Sequence, residues 1–126
     1  AGLAAPHRQG AAAAELSEKR RASCEIIDIR FVKPISDKLI KYCGEKFDKI
    51  ICVEDNCLKG GIGEEISARL YESGYNSKKI KLIGLPDRFV EHGPNSRLKN
   101  ITGSDSAGIL AAALAMLDGE KCRKKE

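Results

Sequence analysis

Three glycines in the sequence GGIG, Gly60, Gly61 and Gly63, form the stretch best suited to chemistry. A glycine-rich turn that leads into a helix exposes backbone N–H groups, which can hold a phosphate. The spacing matches neither the GxGxxG fingerprint nor the GxxxxGK[ST] loop. Glu64 and Glu65 follow in the predicted first helical turn, where they complement the helix dipole and would repel a phosphate. We therefore expect the glycines to permit close packing, either of helix on strand or of this loop on another surface.

The segment GLPDRFVEHG supplies a second set of candidates. His92 could act as an acid or base with Asp87 or Glu91, and Arg88 could bind an anion. A loop histidine beside acidic residues is more often a surface or interface residue, so we interpret Asp87, Arg88 and His92 as candidate contacts. Cys57 could serve as a nucleophile, but the only other histidine is His7 and no oxyanion-hole motif accompanies it. We assign no catalytic, cofactor-binding or metal-ligating residue.

The composition of the 126-residue chain limits the classes of protein to which it can belong. Hydrophobic residues make up 42% and charged residues 32%, as in ordinary globular domains. No apolar run approaches the roughly 20 residues that a membrane helix needs. The net charge of +4 comes with few aromatic residues for stacking on bases, so we expect neither nucleic-acid nor membrane partners. Five cysteines without paired CxxC spacing, and no visible signal peptide, predict reduced thiols and a cytoplasmic location.

A short β-branched run at residues 50–53 is the predicted central strand. An apolar run without alternation is typical of a strand that is covered on both faces. Glu54 opens the polar stretch that is predicted to end this strand. Beyond the glycines, a helix is predicted because Ile62, Ile66 and Leu70 recur every fourth position. The resulting unit is strand, glycine-rich turn and helix.

Helices and strands alternate along the rest of the chain. We expect strands at residues 24–30 and 79–85, and helices from about residue 11 to 21, after Ser36 or Asp37, and after Ser104 or Asp105. This alternation implies right-handed crossovers and a mostly parallel sheet with helices on both faces. The predicted fold class is α/β, a three-layer sandwich over residues 11–119. Residues 1–10 are an atypical leader, either non-native or disordered, and residues 120–126 are a charged tail.

Three stretches are recognisable together because of their order and separation: AAELSEKRRASCEIIDIRFVKPISD, IICVEDNCLKGGIGEEI and IGLPDRFVEHG. On these stretches the chain resembles the C-terminal domain of the transketolase family over about residues 12–117. The segment GLPDRFVEHG followed by GSDSAGI looks most like the 1-deoxy-D-xylulose-5-phosphate synthase branch of that family. Transketolase small subunits and β subunits of 2-oxo-acid dehydrogenases are the alternatives.

The resemblance implies a parent enzyme that uses thiamine diphosphate and Mg to join pyruvate and glyceraldehyde 3-phosphate, with release of carbon dioxide, for isoprenoid synthesis. Two other domains would hold the cofactor, so this chain alone would bind none. It would pack on the pyrimidine-binding domain and take part in homodimer assembly. The candidate contact residues are Glu54, Gly60, Gly61, Gly63, Asp87, Arg88 and His92.

Two rival functions stay open. One is a phosphate- or nucleotide-binding module that uses the turn and Lys59, and the other is a self-contained enzyme that uses Cys57 or His92.

One departure from the family concerns the first strand. Family members begin this domain with an apolar strand just before the first helix, where this chain has AGLAAPHRQG. We therefore expect the first strand to be missing or replaced. In a doubly wound sheet of order 2-1-3-4 its loss would leave unpaired backbone groups between CEIIDI and IICV. We predict that the gap is closed by pairing of the flanking strands, by residues near Leu3, or by exchange with a second chain.

Overall fold

The computed structural model describes residues 2–4, 9–20, 22–29, 33–86 and 103–123. Strands and helices alternate through these residues, as expected for the α/β class. The elements are β1 (Gly2–Ala4), α1 (Gln9–Arg20), β2 (Glu25–Ile27), α2 (Asp37–Lys46), β3 (Lys49–Cys57), α3 (Ile62–Glu72), β4 (Lys79–Leu85) and α4 (Ser106–Arg123). Within the described residues, no helix is both long enough and apolar enough to cross a bilayer.

The four described strands form one sheet in the order β2-β1-β3-β4, and every described pair is parallel. Leu3 pairs with Ile26 on one side and with Ile51 on the other. The strand that was expected to be missing or replaced is therefore present as three residues around Leu3, which is the second of the three predicted closures. Part of the predicted leader thus has a place in the sheet.

β3 is the central strand, and its side chains build a separate core on each face. Ile51 and Val53 pack with residues of α1 and α4, whereas Ile50 and Cys52 pack with residues of α2 and α3. The alternation of side chains along a strand places neighbouring residues on opposite faces. The sheet consequently lies between two helical layers, and the prediction of a strand covered on both sides is confirmed.

We expected the polar residues after Val53 to end β3, and this prediction is wrong. The strand continues to Cys57. The pairing with β4 shifts register between Val53 and Cys57, and Cys57 then pairs with Leu85. The Leu58 amide also donates a hydrogen bond to the Leu85 carbonyl at 2.9 Å. The irregularity allows polar residues to stay in the strand while the chain remains attached to β4.

Two helices begin next to the capping residues that the sequence predicts. Ser36 is the N-cap of α2, although its side chain makes no capping hydrogen bond. At α4 the Gly108 amide donates to the Asp105 carboxylate at 2.7 Å, the capping contact that the sequence predicts there. α4 continues through Arg123, beyond residue 119, where we expected the domain to end.

Candidate docking site at the glycine-rich turn

The glycine-rich turn joins the carboxyl end of β3 to the first turn of α3. Gly60 has a φ of +71°, a left-handed conformation that favours glycine, and Gly61 is the N-cap of α3. In doubly wound sheets, ligands bind outside the carboxyl ends of the strands. The turn therefore lies at the edge of the sheet where a functional surface is expected.

The carboxylate of Glu54 closes the N-terminus of α3. Its Oε2 atom accepts a hydrogen bond from the Ile62 amide at 3.1 Å, and its Oε1 atom accepts one from the Gly63 amide at 3.4 Å. The first amides of a helix have no partner within the helix, and they attract anions. Glu54 fills this role from within the chain, so the amides that a phosphate would need are already engaged.

A second carboxylate fixes the turn from the other side. The Gly60 amide donates to Oε2 of Glu64 at 2.8 Å, and Glu64 lies three residues after the N-cap, Gly61. The contact resembles a capping box, in which the acidic side chain three residues after the N-cap accepts from the N-cap amide, but here the donor is the amide one residue before the N-cap. Two negative charges thus bind the amides of one short turn, which disfavours the phosphate- or nucleotide-binding alternative.

Two of the glycines are required by close packing. A Cβ atom at Gly61 would overlap the Glu54 carboxylate and lie 2.7 Å from the Cys57 carbonyl oxygen. A Cβ atom at Gly63 would lie 2.7 Å from Cδ2 of Leu82 on β4. The structure therefore supports the first of our two interpretations, that these glycines let helix and strand approach each other.

An open pocket of about 510 Å³ adjoins the turn. It lies between α3 and the segment that precedes α2, and its lining includes Pro34, Ile35 and Ala68. Arg69 holds the two sides together, because its Nη1 atom donates to the Ile35 carbonyl oxygen at 2.5 Å and its Nη2 atom pairs with Asp37. The pocket wall is thus braced, and exposed Glu65 stands on its rim.

Four of the seven predicted contact residues, Glu54, Gly60, Gly61 and Gly63, come together in the turn. Asp87, Arg88 and His92 lie outside the described residues. The charge of Glu64 near the helix N-terminus was expected, but the reach of Glu54 across eight residues to Ile62 was not. The available signal was an acidic residue at a strand end close before a glycine-rich helix start.

The cysteines give no support to the nucleophile alternative. Cys57 is partly buried at the end of β3, and neither histidine lies in the described parts of the chain. Burial raises the pKa of the Cys52 thiol to about 12, and burial also raises the pKa of Cys43. Across the described ranges, His, Cys, Asp and Glu side chains form no group of three that could hold a metal ion.

A family model, "Transketolase, C-terminal domain", matches residues 7–109 of the chain. The chain belongs to the transketolase C-terminal domain family.

Curated relatives of this family member are named 1-deoxy-D-xylulose-5-phosphate synthase. The protein from Geobacter sulfurreducens is 41% identical over 107 residues, which cover 84% of this chain but 16% of the relative. The protein from Aquifex aeolicus is 36% identical over 114 residues, which cover 90% of this chain and 18% of the relative. The chain therefore spans less than a fifth of the length of these relatives.

A solved structure described as "Split gene transketolase, inactive beta4 tetramer" has the same fold. It superposes with a TM-score of 0.74 at 22% identity, covering 90% of this chain and 37% of the other. At this identity the likeness concerns the fold alone, and it independently supports the α/β architecture of the transketolase C-terminal domain.

Proposed function

We propose that the chain is the C-terminal, non-catalytic domain of a 1-deoxy-D-xylulose-5-phosphate synthase, and that it works in the cytoplasm. The parent reaction joins pyruvate and glyceraldehyde 3-phosphate with loss of carbon dioxide. Thiamine diphosphate and Mg belong to the other domains in this proposal, and the isolated chain is inactive. The identity of 36–41% with synthases of this name over most of the chain supports this assignment.

The work of the domain, in this proposal, is docking on the pyrimidine-binding domain and support of the homodimer. The observation that carries it is the closure of the α3 N-terminus by Glu54, at 3.1 Å from the Ile62 amide. A turn whose amides are satisfied internally has little affinity left for an anion, but it offers a fixed backbone surface to another protein. The adjoining pocket extends this surface along α3.

A pair of charge reversals on α3 tests the docking role. Glu65 is exposed on the rim of the pocket, and Glu72 is the last residue of the same helix. In the longer protein, we expect Glu65→Arg to weaken the homodimer and lower synthase activity about tenfold, because it places a new charge at the proposed contact. Glu72→Arg should leave both unchanged. Sedimentation at several concentrations gives the dimer affinity, and a coupled assay gives the activity.

Thermal unfolding of both variants provides the control for a change in domain stability. A positive charge in the first turn of α3 opposes the helix dipole and costs about 0.5 kcal/mol, whereas the same change in the last turn complements it. The docking proposal is wrong if folded Glu65→Arg protein keeps wild-type dimer affinity and activity. Saturable binding of inorganic phosphate to the unmodified chain would instead favour the anion-binding rival.

A further inference from the structure

An apolar crevice of about 210 Å³ lies at the amino end of the sheet, at the opposite end of β3 from the glycine-rich turn. Its floor combines side chains of α1, β3 and α4: Leu16, Ile51, Ala113, Met116 and Leu117. Leu16 and Ile51 belong to the buried core, whereas Met116 and Leu117 are only partly buried. The crevice is thus an open extension of the core between β3 and α4.

The rim of the crevice is formed by residues at the starts of two strands. Ala22 and Ser23 precede β2, while Phe47 and Asp48 precede β3. β1 lies between these strands, and its residue Gly2 pairs with both Glu25 and Ile50. The start of β1 therefore lies between the two halves of the rim.

Two charged residues of the rim, Lys46 and Asp48, are already paired, which favours an apolar occupant. Lys46 pairs with Glu25 at 2.5 Å, and Asp48 pairs with Lys78 at 3.2 Å. A cavity of about 150 Å³ with aliphatic walls can hold a group as large as benzene, so this crevice has room for a large apolar side chain. The residues after Arg123, two lysines and a glutamate, are poorly suited to such a floor.

We propose that the segment preceding β1 in a longer protein seats a large apolar side chain in this crevice. The chain spans only part of its curated relatives, and its family is named as a C-terminal domain, so in proteins of that length other domains come before β1. The connection between domains is then packed on α4 and on the start of β3. Packed connections restrict the relative orientation of domains, which free linkers do not.

Hydrogen exchange of the longer protein, read by mass spectrometry, tests this seat. The variant Met116→Glu places a charge on the floor, and Ala115→Glu places the same charge on an exposed neighbouring position of α4. We expect Met116→Glu to speed exchange about tenfold in the segment just before β1, because local protection depends on packing. Ala115→Glu should exchange there as the wild-type protein does, and the peptide over residues 58–66 should be unchanged in both.

Three results would overturn the proposal. In the first, the segment before β1 exchanges at the rate of an unfolded peptide in the wild-type protein. In the second, that segment exchanges at the same rate in the Met116→Glu and Ala115→Glu variants. In the third, Met116→Glu speeds exchange only after residue 123, which would make the charged tail the occupant of the crevice. If Met116→Glu does not fold, Met116→Gln is judged by the same comparison. These readouts do not depend on the parent reaction, so they stand apart from the proposed function.

Discussion

Two glutamates use their carboxylates in different ways. Glu54 is partly buried and accepts hydrogen bonds from two backbone amides at the start of α3, at 3.1 and 3.4 Å. Glu25 lies at the surface on β2 and accepts hydrogen bonds from the Tyr42 hydroxyl at 2.7 Å and the Lys46 ammonium at 2.5 Å. The donors to Glu54 are fixed by the helix, whereas the donors to Glu25 belong to long side chains in contact with water.

The difference shows which carboxylate determines local structure. Long side chains lose entropy when they form a surface ion pair, and salt screens the pair, so such contacts add little to stability. A carboxylate that satisfies two helical amides in a partly buried site would leave those amides unpaired if it were removed. We therefore expect Glu54, and the glycines that make room for it, to define the turn, and Glu25 to be dispensable.

The largest effect should come from filling the space beside Glu54. We expect Gly61→Ala to lower the free energy of unfolding by about 2–3 kcal/mol, because the added Cβ overlaps the Glu54 carboxylate and crowds the Cys57 carbonyl. The matched substitution Gly119→Ala meets open space in α4 and should stabilise the chain by up to about 1 kcal/mol. Urea denaturation of both variants measures the difference. Equal changes in the free energy of unfolding would mean that the turn can accommodate a Cβ atom at Gly61.

Removal of the Glu54 carboxylate should have the next largest effect. We expect Glu54→Ala to lower the free energy of unfolding by about 1–3 kcal/mol, because the Ile62 and Gly63 amides lose their acceptor. Asp105→Ala, which removes a comparable cap from α4, is the matched control and should cost about 1 kcal/mol. A Glu54→Ala variant as stable as the wild-type chain would remove the basis for calling the turn closed.

The Cys52 thiol, near this same turn, should make stability depend on alkaline pH. Burial raises its pKa from 9.0 to about 12, so the unfolded chain releases the proton while the folded chain keeps it. The free energy of unfolding should therefore fall between pH 9 and 12, by at most about 1.4 kcal/mol per pH unit from this group. Cys52→Ala should flatten the slope in urea denaturation at several pH values. An unchanged slope would assign the loss to other groups.

The smallest effect belongs to Glu25. Hydrogen bonds from Lys46 and Tyr42 lower the pKa of the Glu25 carboxyl, and Lys46→Gln should return this pKa toward its ordinary value in an NMR titration. Stability from this group is present above its unfolded pKa and disappears as the pH falls through the folded value. At neutral pH, we expect Glu25→Gln to lower the urea midpoint only slightly, and by less than Glu54→Ala does. A large shift of the midpoint would break the contrast with Glu54.

Patterns along the sequence predicted most of the fold, because local residue choice determines strands such as residues 79–85 and the start of α4 at Asp105. β1 was predicted only as one of three possible closures, because its three residues, Gly2–Ala4, carry one large apolar side chain and are ordered by pairing with both neighbours. Such pairing depends on tertiary context, which propensity does not contain.

The site was predictable only in part. Its glycines stand out by type and spacing, and Glu64 stands out as an acidic residue in a first helical turn. The role of Glu54 depends on the fold of the turn, because its carboxylate bonds to amides eight and nine residues further along the chain. A contact of that kind is set by backbone geometry rather than by a sequence pattern.

The docking role of the turn can be measured most directly by amide hydrogen exchange. The peptide over residues 58–66 would be compared in the chain alone and in the longer protein, with residues 71–78 as an internal reference at the end of α3 and in the turn that follows it. The account predicts slower exchange in the longer protein for residues 58–66 alone, because a partner domain covers the turn. Equal exchange of residues 58–66 in the two proteins would contradict it.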